Sequence, residues 1–358
     1  MMFRLEARPE PSRTFRWASP LIAVGMTIAV GLVLFPLMGK NALDAFHAFF
    51  VKPVDSLYGV GELLLKASPL MLIATGLAAG YRANVWNIGA EGQLTMGAIA
   101  GGGVALAFEG STSPLLLPVM FAAGMAGGMA WAAIPAFLRT RFNANEILVS
   151  LMLVYVATFV LSILVHGAWR DPEGFNFPQS RMFTEGAILP NLLAETRLNV
   201  GLLVALAVVA SGWVFMEKSF VGYQMRVAGL APAAAHYAGI SSPRTVWIGM
   251  LVGGACAGLA GVGEVAGPIG QLLPSVSPGY GFAAIIVAFV GRLNPVGIVF
   301  ASLLMSLLYL GGESAQLNLA LPSSVTGLFQ GTLLFFLLAA DVLIGYRFRR
   351  RRVGRAPA

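Results

Sequence analysis

Residues 84–93 read NVWNIGAEGQ, and the apolar run LTMGAIAGGGVALAF follows at once. Two Asn, a Glu and a Gln at the mouth of such a run could hydrogen-bond a polar solute, cap a helix or fasten a neighbouring one. Asn84, Asn87 and Glu91 are spaced i, i+3, i+7, which predicts one helical face. Gly89 and Gly92 loosen that helix and admit a close approach of backbone or solute. Asn145–Glu146 opens another apolar run in the same manner, and Glu264 lies among Gly261, Gly263 and Gly267, just before Pro268. An ionisable group inside a bilayer costs about 2.5–3.5 kcal/mol on insertion scales, so it marks a pathway or a buried pair. Asn87, Glu91, Gln93, Asn145, Glu146 and Glu264 are therefore candidates to line or shape a polar path. The competing roles are N-caps, for Asn84 and Asn145 above all, and hydrogen bonds between helices. Glu62 and Lys66, four apart with Glu first, read as a structural helical ion pair, and Asp341 reads as an anchor beside the basic C-terminal tail.

The elements that must position these groups are membrane helices. Of 358 residues, 57% are hydrophobic and 11% charged, against roughly 25% charged in soluble domains. Apolar stretches of about 20 residues, enough to cross a bilayer as a helix, recur from 17 to 346. Backbone in lipid must bond within its own segment, and the runs lack the alternation of a barrel strand. The fold class is all-α and polytopic, with ten predicted spans: 17–38, 58–80, 86–108, 114–138, 145–166, 198–216, 245–266, 280–291, 294–312 and 322–345. The first is too long for a signal peptide and lacks a cleavage site. Residues 280–291 are too few to cross alone, so with GPIGQLLPSVSPGYG before them they predict a broken or re-entrant segment. Glycines at i, i+4 (Gly97/Gly101, Gly124/Gly128, Gly249/Gly253, Gly254/Gly258, Gly263/Gly267) predict close helix packing.

The net charge of +7 is placed as an orientation signal, not as a nucleic-acid surface. Arginines crowd residues 1–16 and the tail 347–358, and Arg82, Arg139, Arg141, Lys218, Arg226, Arg244 and Arg292 share their side of the predicted topology. Asp44, Asp55, Asp171, Glu173, Glu185, Glu195 and Glu313 lie opposite. Both termini are expected in the cytoplasm, flanking one membrane domain over 17–346, with an outer loop at 167–197 and a cytoplasmic segment at 217–244. The Ala-rich centre of that segment favours a short docking helix bracketed by Gly222, Gly229, Pro232 and Gly239. One cysteine, Cys256, allows no internal disulfide. No GxxxxGK[ST] loop, no H-E-x-x-H pattern and no Ser-centred elbow occurs, so the sequence predicts neither an ATP site, a bound metal nor a catalytic centre.

Four blocks in order carry a resemblance: NVWNIGAEGQLTMGA (84–98), NEILVSLMLVYVA (145–157), GYQMRVAGLAPAAAHYAGI (222–240) and GYGFAAIIVAFVGRLNPVGIVFASLL (279–304). The chain resembles the permease subunits of bacterial ABC importers of the ribose, branched-chain amino acid and purine-nucleoside group, most of all the nucleoside type. The resemblance implies a ten-helix inner-membrane fold with inverted-topology halves and a pathway for a nucleoside or another small polar solute. It implies cytoplasmic ATP-binding subunits that carry ATP and Mg, a second permease subunit, and a periplasmic or lipid-anchored solute-binding protein. Residues 222–240 correspond to the coupling helix, with Gly222, Arg226, Gly229, Ala234, Ala235, Tyr237 and Gly239 at its recognisable positions.

The chain departs from the group where Ser150 and Val154 replace a common Thr and Asn, and where Ala231 replaces an Asn before Pro232. The loss of an amide at 154 bears on what the path can hydrogen-bond. The alternatives are a simple-sugar or branched-chain amino acid permease, a cation-coupled carrier built on Glu91, Glu146 and Glu264, and a non-transporting scaffold.

Overall fold

The computed structural model describes residues 3–8 and 12–350; the end of the basic tail, 351–358, lies outside the described residues. In chain order the elements are β1 (Phe3–Ala7), α1 (Arg13–Leu37), α2 (Ala42–Phe46), α3 (Leu57–Arg82), α4 (Ala90–Ala107), α5 (Leu116–Phe142) and α6 (Glu146–His166). They continue with α7 (Gly201–Lys218), α8 (Phe220–Leu230), α9 (Pro232–Tyr237), α10 (Ser242–Glu264), α11 (Tyr280–Val290), α12 (Pro295–Leu319), α13 (Ser324–Gly345) and β2 (Tyr346–Arg350). Among the described residues, eight helices are long and apolar enough to cross a membrane. The chain is an all-α polytopic membrane protein. The other two of the ten predicted spans are α4, with 18 residues, and α11, with 11. At 1.5 Å per residue α11 covers only about 16 Å of a core roughly 30 Å thick. It is the short segment that its length predicted.

The chain divides into two compact units, one of residues 1–53 with 308–358 and one of 54–307. In the first, α1 packs along α13, and Phe35, Phe49 and Phe329 form an aromatic cluster with centroids 4.7–6.2 Å apart. Aromatic pairs in this range and tilt contribute beyond their buried area. The tails, read from the sequence only as basic, pair as an antiparallel ribbon in the register Phe3↔Arg350 to Ala7↔Tyr346.

In the second unit, α3 and α10 form the centre. The apolar window of α3 is 83% buried, against 22% for α5 and α6, so α3 is enclosed by its neighbours while α5 and α6 present apolar side chains outward. Helix α10 packs on α3, α4 and α5, and glycine makes this possible. A Cβ on Gly258 would overlap the Gly124 carbonyl, one on Gly128 the Gly254 carbonyl, and one on Gly97 the Gly258 Cα. These are the predicted i, i+4 positions, and they bring backbones together as small residues do in lipid. Gly263 and Gly267 differ. Gly263 has nothing within 4 Å, and Gly267 sits in a π-helical turn, Val265–Ile269, beside Asn199. That pair is a break in the helix and not a seam.

Serine and asparagine start the helices as expected of N-caps. Ser56 accepts from Gly59 N at 3.1 Å, Ser219 from Gly222 N at 2.9 Å and Asn145 from Ile147 N at 2.9 Å. Asn143, at φ 53°, ends α5 in the left-handed conformation that asparagine tolerates. A methyl group forced into the α10 seam is expected to be costly, by about 1–3 kcal/mol for overpacking. Gly258→Ala should lower the melting temperature of the purified chain by several degrees, whereas Gly263→Ala should leave it unchanged, as measured by thermal unfolding in one detergent.

Candidate translocation site

The stretch NVWNIGAEGQ is not helical at its start. Residues 85–89 have no regular secondary structure, and α4 begins only at Ala90. Asn84 is at φ 57°, exposed, and accepts from the Trp86 indole at 2.8 Å. The helical face predicted for Asn84, Asn87 and Glu91 therefore does not form, because Asn84 takes a left-handed turn that ends α3. Asn84 is not an N-cap either.

Instead the loop is fastened by its amides. Asn87 and Gln93, 2% and 1% exposed, bond reciprocally: Asn87 Nδ2 donates to Gln93 Oε1 at 2.8 Å and Gln93 Nε2 to Asn87 Oδ1 at 3.1 Å. Asn87 Oδ1 also accepts from Gly89 N at 3.0 Å, and the Asn87 carbonyl accepts from the Tyr81 hydroxyl at 2.9 Å. The Ser150 hydroxyl accepts from Ile88 N and donates to Ile147 O, each at 3.2 Å. Val154, at the position where an amide was expected, is buried with its Cα against Gly92. These two of the three departures from the group's pattern thus fall on helix packing around this loop.

Glu91 reaches across to a different element. Its carboxylate accepts from Gly281 N at 2.6 Å. Ser277 in turn accepts from Gly279 N and Tyr280 N at 3.1 and 2.9 Å. The first N–H groups of a helix have no intrahelical acceptor, and a carboxylate there is favoured by hydrogen bonding and by the helix dipole. Glu91 on α4 is therefore an N-cap for α11, supplied from another helix. Gly281 permits it, since a Cβ there would overlap the Glu91 backbone.

The loop 167–200 is tied to the break after α10. Ser180 N donates to Leu272 O at 2.9 Å, Leu272 N to the Ser180 hydroxyl at 2.9 Å, Phe183 N to Gly270 O at 2.8 Å and Leu189 N to Ala266 O at 2.7 Å. These bonds supply partners to backbone that left its helix, the condition for irregular structure at membrane depth. Arg197 forms a bidentate pair with Glu62, at 2.9 and 2.5 Å, and the Glu62 carboxylate raises the Arg197 pKa. Arg197 is the partner of Glu62 that sequence spacing, limited to i+4, could not find. Glu264 ends α10, is 7% exposed and lines a small cavity with Ser68, Phe121 and Asn199. The predicted broken helix beside this carboxylate is present.

At the other end of the helices, Asn145 is exposed and caps α6, and Glu146 pairs with Arg139. The single helix expected in 217–244 is two, α8 and α9, with Pro232 at the first position of α9. Gly222 and Gly229 are contact points, since a Cβ would overlap the Phe215 and Arg82 carbonyls respectively. Glu217 bridges Arg82 at 2.6 Å and Arg226 at 2.7 Å, and Arg82 also donates to Leu293 O at 2.9 Å. Ala235 is buried, Ala234 is exposed, Tyr237 is 96% exposed, and Gly239 has φ 77°. A cleft of about 120 Å³ lies between α9 (Pro232, Ala235, His236) and the start of the polar loop (Ala83, Asn84, Val85). The structure so brings the 84–98 and 222–240 blocks together, while Asn87 and Glu91 are bonded to separate partners and Glu264 lies at the end of α10, on the cavity. Glu217, Ser277 and Arg197 were missed; only Ser277, three residues ahead of an apolar run, carried a readable cap signal.

Removing one amide of the Asn87–Gln93 pair strands the other, at a cost of about 1–3 kcal/mol. Asn87→Leu and Gln93→Leu should each lower thermal stability, and the double variant should lose less than the two losses added, as a double-mutant cycle reads.

Comparison with known proteins identifies the family. A family model described as "Branched-chain amino acid transport system / permease component" matches residues 59–338. The chain is 35% identical to the glucose ABC transporter permease protein TsgB13 of Haloferax volcanii, over 98% of this chain and 94% of that protein. It is 29% identical to the guanosine ABC transporter permease protein NupP of Bacillus subtilis, over 90% and 92% of the two chains. It is 28% identical to the nucleoside ABC transporter permease protein NupB of Lactococcus lactis, over 93% of each. With a family match across most of its length, the chain belongs to the branched-chain amino acid transport system permease family, as a transport permease component.

Proposed function

We propose that this chain is the membrane subunit of an ATP-driven importer and forms the translocation path for a small, neutral, hydroxylated solute, a nucleoside first. The family match over 59–338 carries the reading. Nucleoside and guanosine permeases among its relatives support the solute class. A sugar is the second reading, favoured by the glucose permease at 35% identity. ATP and Mg would be bound by separate cytoplasmic subunits, and a second permease subunit and a solute-binding protein would complete the transporter. The chain would lie in a bacterial inner membrane with both termini in the cytoplasm, following its arginine distribution.

In this reading α8 and α9 receive the motion of the ATP-binding subunits. Exposed Tyr237 and Leu230, 96% and 80% accessible, offer apolar contact to a partner. The chain of contacts Arg226–Glu217–Arg82 and Gly229 against the Arg82 carbonyl joins α8 to the end of α3. A rigid link of this kind has two ends that must move together, which is what coupling requires. Asn87, Gln93 and Glu91 act on the path by fixing the loop and the short helix α11 beside it. Asn145 and Glu146 hold the start of α6.

Reconstituted with ATP-binding subunits and binding protein, the complex should take up labelled guanosine or D-glucose only with ATP. Uptake by the lone chain along an ion gradient would replace this reading with a cation-coupled carrier. Arg226→Glu, which sets two carboxylates against each other at Glu217, should cut ATP-driven uptake at least tenfold in an assembled complex. Undiminished uptake would remove α8 from the coupling path.

A further inference from the structure

Glu264 is the buried ionisable group that the bonds described above leave unused. Its side chain is more than nine-tenths buried, and among the described residues no hydrogen bond reaches its carboxylate. The carboxylate opens onto a cavity of about 20 Å³ walled by Ser68, Phe121, Asn199, Val204 and Gly263. That is room for one water or one hydroxyl group. A buried, unmatched acceptor is expensive unless something donates to it.

The surroundings select the donor. A hydroxyl group can donate to the Glu264 carboxyl, and the void admits one. Asn199 adds an amide: its Oδ1 is taken by Gly201 N at 2.9 Å, which leaves its NH₂ to donate. Ser68 donates to Leu64 O at 2.8 Å and keeps lone pairs to accept. Phe121, Leu65, Pro69 and Leu72 supply an apolar floor. Acceptor, donor and apolar face together match a ring that carries hydroxyl groups on one edge and C–H groups on its face.

The cavity is also covered. Asn199 and Arg197 belong to the loop that is bonded to the broken segment at Ala266, Gly270 and Leu272. Arg197, with a half-exposed side chain, clasps Glu62, whose side chain is 7% exposed. The pair joins the loop to α3 one turn from Lys66. We propose that this cavity is a binding site for the hydroxylated ring of a neutral solute, with Glu264 as the acceptor, closed by residues 180–199 and latched by Arg197 on Glu62. In the closed form only one hydroxyl fits, so loading requires the latch to open. The proposal rests on the transport reading above for the identity of its ligand as cargo.

The test uses the assembled transporter in proteoliposomes, with Cys256→Ser and a reporter, Ser68→Cys. The rate of labelling by a membrane-impermeant methanethiosulfonate is read. Arg197→Ala should raise that rate at least tenfold; an unchanged rate overturns the latch. In the Arg197→Ala background, D-glucose or guanosine at millimolar concentration should slow labelling at least fivefold, and L-leucine and L-lysine should not. Glu264→Ala should abolish the protection, and the isosteric Glu264→Gln should weaken it should the alanine variant fail to assemble. Protection by leucine or lysine, no protection by either hydroxylated probe, or protection that survives loss of the carboxylate overturns the site. ATP-driven uptake measured on the unmodified complex tests the transport reading separately, so the two can fail independently.

Discussion

The broken segment after α10 depends on the hydrogen bond from Gly281 N, in the first turn of α11, to the Glu91 carboxylate. Lipid offers no partner to a free N–H, so a helix that begins inside the bilayer must find its acceptors in protein. Eleven residues cannot span, and the ten before them, Gly270–Gly279, are irregular. The break is sustainable because hydrogen-bond partners arrive from two sides, acceptors at the start of α11 and mostly donors from the loop. Glu91 and Ser277 serve Gly279–Gly281, and the loop 180–189 serves Ala266–Leu272. A carboxylate suits this place better than an amide, because its charge also meets the positive end of the helix dipole.

For Glu91 to reach α11, α4 must be held at a fixed depth and rotation. The glycine seam of α10 with α4 and α5 sets the depth, since Gly97 meets Gly258 and Gly261 meets the Leu94 carbonyl. The Asn87–Gln93 pair sets the entry angle by tying the loop to the first turn of α4. The same loop lies under α9 and is joined through Arg82 and Glu217 to α8. A displacement of α8 and α9 therefore has a packed route to Asn87, α4, Glu91 and the start of α11. This is a route of contacts within one unit, and its use in transport is part of the proposed function.

The all-α fold, the short segment at 280–291 and most glycine contacts were legible in the sequence, because they rest on span length and on a strong local pattern. The tail ribbon was not, since two basic stretches carry no visible pairing signal until β1 and β2 are adjacent. The helical face at 84–91 was misread for a local reason. Asn84 adopts positive φ at little cost, so the chain turns where periodicity would have continued α4 backward. Asn145 gave the more ordinary of its two readings, a cap. Glu91 was identified as special from its depth, but its partner is 190 residues away, and spacing says nothing of that. Arg197 and Glu217 escaped because each pairs with a residue far away in the sequence, Glu62 and Arg82, which local spacing does not show.

The account turns on whether Glu91 holds α11, and amide hydrogen exchange reads that directly. In nanodiscs, the amide of Gly281 should exchange slowly in the native chain, at least tenfold faster in Glu91→Ala and at an intermediate rate in Glu91→Gln. Exchange at that amide that is the same in the native chain and in Glu91→Ala would contradict the cap and leave the broken helix without its explanation.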